Sequence, residues 1–201
     1  TAGADGRKTL LFLSRMHPKK GVMELVKAFT DIKSRKRVSD FNKWQVELVY
    51  SLNGEEEEKY EQQVRAAVQK NGVEGQFIFT GPLSDEDKWT AYRRADSFVL
   101  LTHTENFGIV IAEALYAEVP VLTTKNAPWI DLERYHAGWW INLEHREVTA
   151  TLEKVMTMPD EERRRMGVAG RDLVVRKYSW PSIAQSMKSE YARVLAKVKV
   201  K

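Results

Sequence analysis

No cysteine occurs in the 201 residues. Disulfides and thiolate-ligated metal sites are therefore excluded, and a reducing compartment is the simpler assumption. Long apolar runs are missing as well. No stretch approaches the roughly 18–20 residues that a membrane-spanning helix needs. The opening "TAGADGRKTL" is small and polar, without the apolar centre of a signal peptide, and residues 1–8 read as a linker. An excess of one charge is almost absent, since 32 Lys and Arg against 28 Asp and Glu leave a formal +4. That balance suits a phosphorylated ligand or an anionic membrane surface. It is too small, and too little interleaved with aromatics, for a nucleic-acid surface.

What is present is alternation. Short apolar runs of strand length occur at 9–14 ("TLLFLS"), 44–51, 76–80, 97–101, 119–124 and 138–143. Helical patterns lie between them at 21–36, 53–70, 84–95 and 108–117. In the first, Val22, Leu25, Val26 and Phe29 share one face. Ser84 is the expected N-cap of the third, with Asp87 at the third helical position. From 146 to about 197 the pattern is helical, with one break at "YSWPS" where Trp180–Pro181 interrupts it. The acidic run 55–58 reads as a solvated first turn whose charge suits a helix N-terminus, rather than as a metal site. Such alternation predicts right-handed βαβ units. The expected fold class is α/β, a single Rossmann-like doubly wound parallel sheet over 9–180 with a C-terminal helical tail over 181–201. Ligands of such sheets sit beyond the carboxyl ends of the strands. The loops after residues 14, 51, 80, 101 and 124 are the ones to inspect.

The loop "SRMHPKKG" (14–21) places Arg15 at a strand end and Lys19 and Lys20 at the start of a helix. Cations are poorly placed there, because a helix N-terminus carries partial positive charge. A bound anion would reverse the penalty, so the loop is either a diphosphate clamp or a basic surface loop. His17 lies in the same loop.

In "HTENFGIVIAEAL" (103–115), Glu105 is expected in the loop after a strand, and Gly108 starts a helix. Asn106, Phe107, Gly108 and Ile109 then present main-chain amides at that helix's N-terminus, a natural place for an anion or polar ligand. Glu113 falls among apolar residues on the second turn. A buried carboxylate needs a partner, either the hydroxyls of a vicinal diol such as ribose or a protein cation. A paired acid and base of the glycosidase kind is a third reading of Glu105 and Glu113.

Four motifs in order, "SRMHPKKG", "FTGPLSDEDKWTAYRRADSFVLLTHTENFGIVIAEALYAEVPVLTTKNAPW", "GWW" and "MGVAGRDLVVRKYSW", resemble the C-terminal, donor-binding half of family 4 glycosyltransferases of GT-B architecture. The resemblance covers about residues 9–190. It implies that Arg15 and Lys20 bind the diphosphate of a nucleotide sugar and stabilise charge on the leaving phosphate. It implies further that Glu105 meets the donor sugar and that Asn106 to Ile109 offer amides to sugar and phosphate. Glu113 would bind the ribose, and Gly81, Pro82 and Leu83 would border the nucleobase. The implied reaction transfers a hexose from a UDP-, GDP- or ADP-sugar with retention of configuration and without a metal or other cofactor. The implied acceptor is a glycan, a lipid or another molecule, at a membrane surface or elsewhere, in polysaccharide biosynthesis. Nucleic acid is not an expected partner. The family's N-terminal domain, which carries the acceptor site, is not represented in this sequence, so the chain alone is expected to bind donor without transferring sugar. The location implied is cytoplasmic, with peripheral attachment to the inner membrane face as an option.

Two positions depart from the family pattern, where Gly is frequent in place of Ser14 and of Glu118. Alternatives are a GT-B epimerase or phosphorylase and a non-catalytic binding module. Among the aromatics, Trp139 and Trp140 adjoin a strand, so one should be buried and the other exposed, both mainly as packing. Trp129 either packs or lines the sugar pocket. Trp180 is expected to anchor the break in the tail. Tyr191, Val194, Leu195 and Val198 form an apolar stripe on the last helix.

Overall fold

The computed structural model describes residues 6–198, so part of the expected linker lies outside it. Six strands form one parallel sheet: β1 (Lys8–Arg15), β2 (Trp44–Ser51), β3 (Phe77–Gly81), β4 (Ser97–Leu100), β5 (Val121–Thr124) and β6 (Gly138–Ile141). Their order is β3-β2-β1-β4-β5-β6. The helices are α1 (Val22–Arg35), α2 (Glu55–Lys70), α3 (Asp85–Arg94), α4 (Ile109–Tyr116), α5 (Asp131–Arg134), α6 (His145–Thr157), α7 (Asp160–Lys177) and α8 (Trp180–Val198). This is the expected doubly wound fold with a helical C-terminal tail. Among the described residues no helix is long and apolar enough to cross a membrane.

Burial explains the strand sequences. β2 is buried along nearly its whole length, as a central parallel strand covered on both faces must be. Its buried polar residues have partners: Gln45 donates to Thr9 Oγ1 at 3.1 Å, and Glu47 is ion-paired with Arg94. On one side α1 packs against α2 and α6, and α4 packs against α7. The polar face of α3 turns outward, while its Tyr92 is fully buried and donates to Glu113 on α4. Ser84 caps α3 as expected, accepting from the Asp87 amide at 3.1 Å.

The C-terminal helices differ from expectation in two ways. A second break falls at Met158–Pro159, between α6 and α7. Proline offers no amide and forces the preceding residue out of helical geometry; Met158 has ψ 135°. Trp180 also does not anchor the break, for it is 83% exposed and begins α8. The anchor is Tyr178. Its hydroxyl donates to Asp131 Oδ2 at 2.8 Å, and its ring packs on Phe107 and Trp129 with centroids 5.6 and 5.0 Å away. Trp139 and Trp140 do not split into one buried and one exposed; both are half-buried against the core, and the Trp140 indole donates to Ala127 O. On α8, Tyr191, Val194 and Leu195 are exposed, and Val198's side chain lies outside the described residues.

Glu118 takes a left-handed conformation, φ 62°, in the turn between α4 and β5. That explains why glycine suits this turn: a side chain with a Cβ costs about 1 kcal/mol or more there. Its carboxylate is held by Arg171 at 2.7 Å, with both partners exposed. Exposed pairs contribute about 0–1 kcal/mol. Glu118→Gly is therefore expected to leave stability unchanged or raise it by up to about 1 kcal/mol in urea denaturation. A loss of more than about 1 kcal/mol would show that the Arg171 pair outweighs the backbone strain.

Asp131 ties the end of α7 to α5, accepting from Lys177 at 2.5 Å as well as from Tyr178. Burial alone would raise its carboxyl, but the hydrogen bonds from Lys177 and Tyr178 outweigh burial and hold it below the ordinary 3.8. A depressed carboxyl contributes stability that is whole above its unfolded value and is lost as pH falls through the folded one. Asp131→Asn should cost about 1–2 kcal/mol at neutral pH, with the deficit shrinking below about pH 4. Denaturation of both proteins across pH 3–7 checks this, and a pH-independent deficit would contradict it.

Candidate functional site

The sheet order reverses between β1 and β4, so the loops leaving these two strands diverge onto opposite faces and frame a crevice. Arg15 ends β1. The residues that follow make a single 3-10 turn, Pro18–Lys20, capped by His17, whose Nδ1 accepts from the Lys19 amide at 3.1 Å. His17 is thus a local cap rather than a freely solvated loop residue. The Lys19 carbonyl accepts from the His103 amide at 2.8 Å and from Thr102 Oγ1 at 3.2 Å, which stitches this loop to the one after β4. Gly21 makes the close approach possible. Its φ is 73°, and a Cβ there would lie 2.0 Å from the Leu101 carbonyl oxygen.

Arg15, Lys20 and Glu105 are ion-paired, whereas Lys19 is exposed. Lys20 Nζ lies 2.7 Å from Glu105 Oε2, both side chains largely buried. Arg15 Nη1 lies 3.1 Å from Glu57 Oε1, and Glu57 also accepts from the Asn53 amide at 2.6 Å. Glu57 corrects the reading of the acidic run: it is buried, although Glu55, Glu56 and Glu58 are exposed. The signal was available, since Glu57, Tyr60, Val64 and Val68 recur at helical spacing and are the buried residues of α2. Tyr60 works from the same face. Its hydroxyl accepts from the Met23 amide in the first turn of α1 at 3.1 Å, and burial raises its phenol to about 12.

In the second loop, Glu105 folds back on itself. Its Oε1 accepts from the Asn106 amide at 3.1 Å, and its own amide donates to Asn126 O at 3.2 Å. Gly108 caps α4 with φ 78°. A Cβ there would crowd Ile111 Cδ1 at 3.0 Å and Glu105 Cγ at 3.2 Å. The first bond of the helix runs from the Ile111 amide to Gly108 O, so the amides of Phe107, Gly108 and Ile109 precede it at the positive end of the helix. The Asn106 amide is already engaged by Glu105. Trp129 is fully buried, with its indole on Phe107 O at 2.5 Å. It supports the loop from beneath.

Glu113 has protein partners for both oxygens: Lys88 Nζ at 2.9 Å from Oε1 and Tyr92 Oη at 3.0 Å from Oε2. The cation left open by the sequence is thus Lys88. Each oxygen keeps lone-pair capacity for a further donor. Burial works to lower the Lys88 ammonium, but the Glu113 hydrogen bond and charge outweigh it, and the net shift is upward. Burial, then the Glu113 charge, also push the Tyr92 phenol up. Lys88 was missed in the sequence, yet it precedes buried Tyr92 by four residues and so shares its face of α3.

Lys88 also lines a shallow depression of about 180 Å³ together with Leu13, Ser14, Val49, Pro82 and Leu83. Gly81, with φ 77°, turns the chain at the end of β3 toward this hollow. The fold therefore brings Lys20 to Glu105 and sets Pro82 and Leu83 beside the end of β1. Through Lys88 it joins that hollow to Glu113. Ile109 is exposed at the start of α4.

The comparisons with known proteins fit this architecture. The family model described as "Glycosyl transferases group 1" matches residues 2–173. Alpha-monoglucosyldiacylglycerol synthase of Streptococcus pneumoniae is 27% identical over 158 residues, covering 78% of this chain and 33% of that protein. The structure of Anabaena Alr3699/HepE in complex with UDP and glucose superposes with a TM-score of 0.77 at 18% identity, over 93% of this chain and 48% of that one. The C-terminal domain of a glycosyl transferase group 1 family protein (LpcC) from Francisella tularensis gives 0.71 at 22% identity, over 86% of this chain and 87% of that one. The chain spans half or less of the length of the curated relatives it matches. The family match runs over most of the sequence, from the linker to the end of the α7 region, and the chain belongs to the group 1 glycosyl transferases.

Proposed function

We propose that this chain is the domain that binds the nucleotide-sugar donor of a retaining hexosyltransferase. The observation that carries the reading is the pairing of Lys20 with Glu105, which also holds the Asn106 amide ahead of α4, at the one place where the sheet order reverses, with Arg15 ending β1 at the same edge of the sheet. An elongated ligand fits the sequence of chemistries there. The base would lie in the hollow bordered by Gly81, Pro82 and Leu83, with the ribose hydroxyls on Glu113. The diphosphate would lie between Arg15, Lys20 and the α4 N-terminus, and the sugar would lie toward Glu105 and the Asn106–Ile109 backbone. The UDP and glucose held by the Anabaena protein of the same fold support a donor of this class.

In the proposed reaction the bond between the anomeric carbon and the diphosphate oxygen breaks, and the acceptor oxygen bonds to the same face of that carbon. The acceptor's proton passes to the departing phosphate. Negative charge grows on that phosphate, so Arg15 and Lys20 stabilise the transition state more than the ground state. They are already oriented by Glu57 and Glu105, which limits the reorganisation needed when the donor arrives. Binding the acceptor would call for residues beyond the donor-binding ones named here, so the chain alone is expected to bind donor without transferring sugar.

A nucleoside diphosphate, screened as UDP, GDP and ADP, is expected to raise the melting temperature of this chain. Arg15→Ala/Lys20→Ala should abolish the rise for the nucleotide that binds, and an undiminished rise would remove the clamp. Glu113→Gln tests the ribose contact separately. It should weaken binding of the ribonucleotide about tenfold, or about 1.4 kcal/mol, while leaving the 2′,3′-dideoxy analogue unaffected. Equal loss for both analogues would assign Glu113 a purely structural role with Lys88 and Tyr92.

A further inference from the structure

A cavity of about 510 Å³ lies away from the candidate donor site. It opens at the other end of the sheet, where Lys8 begins β1, Asp96 precedes β4 and Pro120 precedes β5. An eight-residue strand separates the two ends by roughly 26 Å. Its walls carry four cations, Lys8, Arg93, Arg163 and Arg164, and three carboxylates.

The carboxylates are already occupied. Asp160 is held by Lys8 at 2.6 Å and by Arg163 Nη2 at 2.7 Å, and Glu118 by Arg171 from outside the cavity. Asp96 accepts from the Thr9 amide at 2.8 Å and faces Arg163 Nη1 at 3.8 Å, too long for a hydrogen bond. Two of the guanidiniums are left over. Arg93 donates to Thr90 Oγ1, and among the described residues neither Arg93 nor Arg164 forms an ion pair within 4 Å. Arg163 is 4% exposed, yet its Nε and Nη1 have no hydrogen-bond partner. Buried donors of a charged group are costly to leave unmade.

We infer that this cavity is a second ligand site, for a small molecule bearing a phosphate group. A phosphate monoester carries close to two negative charges, which matches the two uncompensated guanidiniums of Arg93 and Arg164. Its acceptor oxygens can be shared by these two side chains, while Arg163, whose unpartnered nitrogens are sealed behind the wall, adds positive charge beneath them without touching the ligand. The site is independent of the donor reading, because it shares no residue with the crevice at the carboxyl ends of the strands.

The test uses the Arg15→Ala/Lys20→Ala chain, so that phosphate bound at the crevice does not interfere. Calorimetric titration with inorganic phosphate and with glycerol 3-phosphate should give saturable binding to one site. Adding Arg93→Gln and Arg164→Gln, both exposed positions, should weaken it at least tenfold. The Arg163 Nε–H resonance gives a second reading in the unmutated cavity and should move on titration with the same midpoint. Absence of saturable binding, equal binding after the two Gln substitutions, or an Arg163 resonance that stays fixed would each overturn the proposal and leave a water-filled structural cavity.

Discussion

The ion pair between Lys20 and Glu105 joins residues 85 apart in the sequence. It exists because β1 and β4 are hydrogen-bonded neighbours, and they are neighbours only where the winding of the sheet reverses. The contacts around it depend on the same adjacency. The Lys19 carbonyl receives donors from His103 and Thr102, and Gly21 leaves room for the Leu101 carbonyl. Move β1 away from β4 and the basic loop and the α4 N-terminus become two unrelated surface features.

Three carboxylate–cation pairs line the crevice: Arg15 with Glu57, Lys20 with Glu105 and Lys88 with Glu113. Long basic side chains lose rotamer freedom when they are fixed, and these pairs already fix them. Their partial burial reduces solvent screening, so the fields at the crevice are stronger than those of an exposed pair. Below them an aromatic cluster of Phe107, Trp129 and Tyr178 holds the loop backbone, with Asp131 securing the Tyr178 hydroxyl. Tyr178, just past the end of α7, thus supports the loop before α4 although it lies far along the chain.

The fold was readable because parallel sheets buried on both faces write short apolar runs, and amphipathic helices separate them with a different period. The loops of interest followed from that order alone. What escaped was the pairing of side chains across elements. Glu57 was hidden among four glutamates of similar appearance, and only the face shared with Tyr60 and Val64 distinguishes it. Lys88 carries no mark of its role in the sequence, because its partner Glu113 lies 25 residues away on α4. The expected anchor, Trp180, is exposed, and the smaller Tyr178 fills that place with a hydroxyl that finds Asp131. The break at Pro159 was legible locally, since Pro followed by Asp160, Glu161 and Glu162 is a helix start.

Joined in this way, the β1 loop and the α4 N-terminus would act as one anion-binding site. Amide chemical shifts of the isotopically labelled chain, followed during titration with UDP, GDP and ADP in turn, test it most directly. At least one nucleotide is expected to move the amides of Phe107, Gly108 and Ile109 together with those of Arg15 to His17 and Lys19 to Gly21, all with one midpoint. Shifts in only one of these segments, or in neither for every nucleotide, would contradict it.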